Sequence, residues 1–171
     1  MSTSFKELGL DAELVAALAR AGIDEPFPIQ ELTIGDALAG RDVLGKAKTG
    51  SGKTLAFGLP MLERVGTAEP RHPRGLVLVP TRELCTQVMT ALRPLGEVMN
   101  RRVRAVYGGV SMDPQVLALR KGVDVVIGTP GRLIDLIERG ELSVAHVEVL
   151  VVDEADRMAD MGFMPQVQKI L

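Results

Sequence analysis

The 171-residue chain reads as an α/β domain with a mostly parallel central sheet and helices on both of its faces. Three observations predict this. Short runs of Val, Leu and Ile alternate with helical stretches along the chain. Several of these runs are continuously apolar rather than alternating, which suits strands covered on both faces. With 46% apolar and 25% charged residues, the composition is that of a globular domain with a proper core.

Residues 11–21 form an amphipathic helix with Leu14, Ala17 and Leu18 on one side, closed by Gly22. Strands are expected at 42–44, 75–79, 103–106, 123–127 and 147–152, and helices at 53–64, 82–99, 114–121 and 131–139. The helix from Arg82 opens just after Pro80, an ordinary start signal. Residues 67–74, with Pro70, His72 and Pro73, read as a surface loop. The last residues, 168–171, read as the interior of a helix. The alternation implies right-handed crossovers between parallel strands.

Composition also excludes. A single cysteine, Cys85, rules out an internal disulfide framework and a cysteine-built zinc site. His72 and His146 are too few and too scattered in sequence for a histidine-rich metal centre. No apolar run approaches the roughly 20 residues of a membrane span. The polar start, Ser2 to Leu8, is not a secretory signal, so a reducing cytoplasmic compartment is expected. At a net charge of −2, any nucleic-acid binding must rest on a few placed groups.

Two constellations carry chemistry. Residues 47–54, Ala-Lys-Thr-Gly-Ser-Gly-Lys-Thr, follow an expected strand and open an expected helix, the context of a phosphate-binding loop. Gly50 and Gly52 let backbone N–H groups turn inward, with Thr49 and Ser51 beside them. Lys53 suits the β- and γ-phosphates, and Thr54 offers a hydroxyl to Mg²⁺. A glycine-rich turn with an accidental Lys-Thr would carry the same residues, but strand, loop and helix all agree. The second constellation is the strand 149–152 ending in Asp153 and Glu154. Such acids often merely cap a helix. At the carboxyl end of a parallel strand beside a phosphate loop, Asp153 instead suits Mg²⁺, largely through water, and Glu154 suits the base for an attacking water.

Residues 153–156 spell Asp-Glu-Ala-Asp, and here the whole chain resembles the N-terminal RecA-like half of DEAD-box RNA helicases. Further ordered elements carry the resemblance: 22–30 as an adenine-reading Q motif ending at Gln30, the phosphate loop with Ala47, 80–84 (Pro-Thr-Arg-Glu-Leu), Gly108-Gly109, and 129–132 (Thr-Pro-Gly-Arg). The resemblance implies an ATP-driven, RNA-dependent ATPase using ATP and Mg²⁺, with Lys53, Asp153 and Glu154 catalytic. It implies RNA contacts, mainly to the sugar-phosphate backbone, from Thr81, Arg82, Gly109, Thr129, Pro130, Gly131 and Arg132, and coupling to a second domain through Asp156. Gln30 can both donate to and accept from the adenine edge. By position alone Phe5 is a terminal residue plugging a hydrophobic groove; the resemblance implies that it stacks on adenine. The implied organisation is a helix and Q-motif extension over 1–30 and a partial RecA-like domain over 31–171.

The chain departs from the family pattern at Phe27, where Thr is common, at Cys85, where Ala is common, and at Ala159, where Leu is usual. The family's Ser-Ala-Thr element and second RecA-like domain are absent. The expectation is therefore a C-terminally incomplete piece of a longer protein, with a gap in its sheet, that binds nucleotide but does not unwind RNA. A different P-loop enzyme, such as a small kinase, and a binding module that hydrolyses nothing are the competing classes.

Overall fold

The computed structural model describes residues 3–48 and 50–171. Four strands, β1 (Gly75–Leu78), β2 (Val103–Val106), β3 (Val125–Gly128) and β4 (Val149–Val152), form one sheet in the order β2-β3-β1-β4. All pairings are parallel, with Gly75 opposite both Val125 and Val149, and Val103 opposite Val125. Parallel pairing forces a crossover between strands, and the helices supply it. They are α1 (Ala12–Arg20), α2 (Pro28–Leu38), α3 (Lys53–Arg64), α4 (Arg82–Val98), α5 (Asp113–Lys121), α6 (Pro130–Glu138), α7 (Ala155–Asp160) and α8 (Met164–Ile170). None is long and apolar enough to cross a membrane.

Two apolar layers sandwich the sheet. On one face Val77, Val125 and Ile127 meet Leu14 and Leu18 of α1, Leu59 and Leu62 of α3, and Val88 and Leu92 of α4. On the other, Leu76, Leu78 and Val126 meet Leu119 of α5, Leu133 and Leu136 of α6, and Val167 of α8. The alternation of Leu76, Val77 and Leu78 between layers is the two-residue period of a strand. Cys85 is fully buried in the first layer; burial pushes its thiol up to about 12, which makes it packing rather than chemistry.

The expected strand at 42–44 is not one. A strand needs a ladder partner, and this segment lies across a cavity of about 390 Å³ from the nearest sheet edge, β4. Val43, Gly45, Phe57 and Met61 line one side of that cavity and residues 148–153 the other. Leu44 is fully exposed, and Leu150 of β4 is 43% exposed. The remaining strands and helices appear within two residues of expectation. The short helices α7 and α8 extend the pattern beyond β4. Helix α2 was not expected, and it runs across residue 30, where the extension was expected to end.

The amino ends of the strands are held by one buried carboxylate. Asp124 accepts from the backbone N–H of Ala68 (2.6 Å) and of Arg102 (2.6 Å), and from the Arg102 guanidinium (3.2 and 3.3 Å). Burial alone would raise its pKa, but these donors outweigh burial and hold it below the ordinary 3.8. A depressed carboxylate stabilises the fold fully above its unfolded pKa and loses that contribution as pH falls through the folded value. Asp124→Asn is expected to lower stability at pH 7 by about 1–3 kcal/mol. In urea melts between pH 7 and pH 2, the gap between the two proteins should narrow on the acid side.

Candidate functional site

Because all four strands are parallel, their carboxyl ends share one edge, where ligands of open α/β sheets bind. The phosphate-loop residues 50–54 join this edge through α3. Gly50 and Gly52 take φ of 84° and 83°, the left-handed region that favours glycine. Gly52 is the N-cap of α3, so the loop's backbone and the positive end of a 12-residue helix face the same space. The Ser51 hydroxyl oxygen is buried in this loop without a hydrogen-bond partner, an orphan that a bound phosphate oxygen would satisfy. Thr49, expected to contribute to the loop, lies outside the described residues.

Lys53 links the two constellations. Its ammonium donates to Glu154 Oε1 at 2.6 Å and lies 3.2 Å from Asp153 Oδ1. Burial lowers its pKa, but the Glu154 hydrogen bond and the Asp153 and Glu154 charges outweigh burial, and the ammonium is held above the ordinary 10.5. Asp153 is mostly buried, and its backbone N–H donates to Leu78 of β1 at 2.9 Å. Glu154 has φ 56° and ψ 44°, a left-handed conformation that is costly for a residue with a side chain and recurs at functional sites. The two carboxylates converge on one cation and are hard oxygen donors, a donor set that fits Mg²⁺. Thr54 stands one residue into α3, partly buried, on the same helix end as Lys53.

Gln30 is 1% exposed, and its amide is turned inward. Nε2 donates to the Gly52 carbonyl at 2.9 Å, and Oε1 accepts from the Phe27 N–H at 2.9 Å. It braces the phosphate loop, a role the sequence did not suggest. Phe5 corrects the expectation that it stacks on a base. At 2% exposure it is sealed in the first apolar layer with Leu10, Leu14 and Leu18, the groove-plugging alternative, and presents no free ring face. The free aromatic ring beside the loop belongs to Phe27, 52% exposed at an open depression shared with Leu32, Lys46, Gly50 and Ser51.

The remaining expected residues line the same edge. Thr81 follows β1 and caps α4, its hydroxyl accepting from Leu84 N–H at 3.3 Å. Arg82 lies with its guanidinium 5.0 Å from the Tyr107 ring centre, after β2. Gly109 has φ 80°. Thr129 stands at the N-cap position of α6 without a side-chain cap bond, and the helix opens with Pro130, Gly131 and Arg132. Arg132 is already engaged, donating to Gln115 Oε1 (2.9 Å) and the Val110 carbonyl (3.0 Å), which fixes the β2–α5 loop against α6. Asp156 sits exposed in the first turn of α7.

A Cβ on Gly52 would lie 2.4 Å from the Phe27 ring and 2.5 Å from Gln30 Nε2, on a backbone already left-handed. Gly52→Ala is therefore expected to cost roughly 1–2 kcal/mol from the backbone alone. It should also break the Gln30 brace, read as lost protection of the Phe27 amide in hydrogen exchange.

Comparison with known proteins agrees with this geometry. The family model described as DEAD/DEAH box helicase matches residues 27–171. The DEAD-box ATP-dependent RNA helicase CshA of Streptococcus pneumoniae serotype 4 is 48% identical over 167 residues, covering 98% of this chain and 32% of that protein. The CshA of Geobacillus kaustophilus is 46% identical, covering 99% of this chain and 36% of that protein. The crystal structure of the RNA-helicase Prp28 from Chaetomium thermophilum bound to ADP superposes with a TM-score of 0.90 at 42% identity, covering 98% of this chain and 42% of that one. The chain thus spans about a third of the length of these CshA relatives. A model match over most of its length, joined to a loop and a carboxylate pair meeting at Lys53, means that the chain belongs to the DEAD/DEAH box helicase family.

Proposed function

We propose that this chain is the nucleotide-binding part of an ATP-driven, RNA-dependent ATPase that separates RNA strands locally. The observation that carries the reading is Lys53 bridging Asp153 and Glu154 beneath the phosphate loop. Lys53 is poised to exchange two carboxylates for phosphate oxygens, releasing both acids for other work. Asp153 and the Thr54 hydroxyl would hold Mg²⁺, which supplies charge neutralisation of the phosphates. Glu154, freed of Lys53, would orient and deprotonate the attacking water.

The adenine side rests on Gln30 and Phe27. A primary amide has two donors and two acceptor sites. Gln30 uses one of each on Gly52 and Phe27; the other donor and acceptor would meet the base once nucleotide binding uncovers the buried amide. Phe27, not Phe5, supplies the exposed ring for stacking. RNA would bind along the carboxyl edge, its phosphates gripped by Arg82 and Arg132 and by the N-terminal ends of α4 and α6 at Thr81, Thr129, Pro130 and Gly131, with Gly109 allowing close approach. Contacts of this kind read no sequence and weaken with salt. Asp156 faces solvent, where a second RecA-like domain would couple to it; residues 1–171 by themselves would bind nucleotide, and unwinding would need both domains. A cytoplasmic location goes with this reading.

Thermal melts of the chain with Mg²⁺ and ADP or GDP test the nucleotide site. At a hundredfold excess over Kd, linkage supplies about 2.7 kcal/mol, or roughly 5–11 °C in a domain of this size. ADP should give such a shift and GDP much less. Gln30→Ala should abolish the difference; if it weakens both equally, Gln30 is a loop brace alone. In a protein that joins residues 1–171 to a second RecA-like domain, Glu154→Gln should lower RNA-stimulated turnover by about 10²–10⁴.

A further inference from the structure

The amino edge of the sheet, opposite the phosphate loop, carries a second constellation. His72 and His146, 74 positions apart and expected to be too scattered to act together, lie with ring centres 4.5 Å apart and planes tilted by 33°. Glu69 joins them. One ligand atom from each of the three lies within 4.8 Å of the other two. They are the only histidines of the chain.

The surrounding chain holds these side chains in place. Glu69 and His72 face each other across an antiparallel bridge, with the His72 N–H donating to the Glu69 carbonyl at 3.0 Å. Between them Arg71 has φ 65°, which sets the tight turn. Ala68, one residue before Glu69, is tied down by Asp124. The segment bearing His146 is stitched to this loop. Ser143 N–H donates to the Arg71 carbonyl (2.8 Å), Glu148 N–H donates to the Arg74 carbonyl (2.7 Å), and Arg74 pairs with Glu148. The neighbouring guanidiniums of Arg71 and Arg74 are turned to Glu141 and Glu148, and among the described residues Glu69 makes no ion pair.

The chemistry of the three groups follows. His72 Nδ1 is 2.9 Å from the Pro70 carbonyl oxygen, which can only accept, so Nδ1 carries the proton. That leaves the Nε2 lone pair free, the arrangement by which a backbone carbonyl orients a metal-binding imidazole. Two imidazoles and a carboxylate form a three-ligand set with an open fourth position. Bonds of about 2.0–2.1 Å place tetrahedral ligand atoms roughly 3.4 Å apart, so side-chain rotation closes the remaining distance. Imidazole selects zinc-class ions over Mg²⁺, which separates this site from the acids at the carboxyl edge. Glu69 and His146 are exposed and His72 half-buried, so an ion reaches them from solvent. We propose that Glu69, His72 and His146 form a zinc-class divalent metal site that clamps the loop before β1 to the loop before β4.

Calorimetric titration of ZnCl₂ into the chelator-stripped chain tests this. One equivalent should bind with micromolar affinity and raise the melting temperature. His72→Ala and His146→Ala should each weaken binding by about tenfold or more, while Asp153→Asn leaves it unchanged. Histidine side-chain NMR reads the unsubstituted chain, in which both imidazoles should shift together up to one equivalent. Binding no tighter than millimolar, equal affinity in the histidine variants, or a shift of fewer than two imidazoles would overturn the proposal.

Discussion

Parallel pairing is the constraint on which the rest of this molecule depends. A sheet with every strand running the same way has two chemically different edges. At the carboxyl edge each strand turns directly into a helix N-terminus: β1 into α4, β2 through the Gly108-Gly109 turn into α5, β3 into α6 and β4 into α7. That edge therefore gathers positive helix ends, the Thr81 cap hydroxyl and the acids that end β4. At the amino edge the returning loops meet, and they are held by ion pairs and backbone bonds centred on Asp124. The proposed chemistry on phosphates and the structural bracing are separated by the length of the strands.

The weak point of this arrangement is β4. Its partner on one side is β1, and on the other side lies a cavity rather than a strand. The charge bridge from Lys53 to Asp153 and Glu154 spans that opening and connects the loop-bearing helix to the sheet. Lys53 thus has a structural role beside the chemical one proposed for it. Its raised pKa has a defined sign: the ammonium's contribution is fully present below the ordinary value and is lost as pH rises through the folded one. The bridge is intact at neutral pH, so its rearrangement needs a competing anion.

Much of this was legible in the sequence because it is local. Strands β1 to β4 announce themselves as Val- and Leu-rich runs, and the phosphate loop and the acids after β4 are contiguous motifs. What failed was non-local. The segment at 42–44 has strand composition, but pairing depends on a neighbour that composition cannot supply. Phe5 has the same aromatic side chain whether it stacks on a base or plugs a groove, and only the packing of α1 against it separates the two. Helix α2 begins inside the stretch read only as a Q motif, with Pro28 in its first turn, where Pro is well tolerated. The inward turn of Gln30 depends on Gly52, 22 residues away. The meeting of His72 and His146 follows from β1 and β4 being neighbours, a fact of sheet order rather than of spacing.

In the proposed function Lys53 is the switch between the acids and a phosphate. A crystal structure of this chain grown with Mg²⁺ and ADP tests it most directly. The diphosphate should sit on the backbone of residues 50–53, with Ser51 bonded and the Lys53 ammonium moved from Glu154 to a phosphate oxygen. A nucleotide bound elsewhere, or bound at the loop with the Lys53–Glu154 contact unchanged, would contradict it.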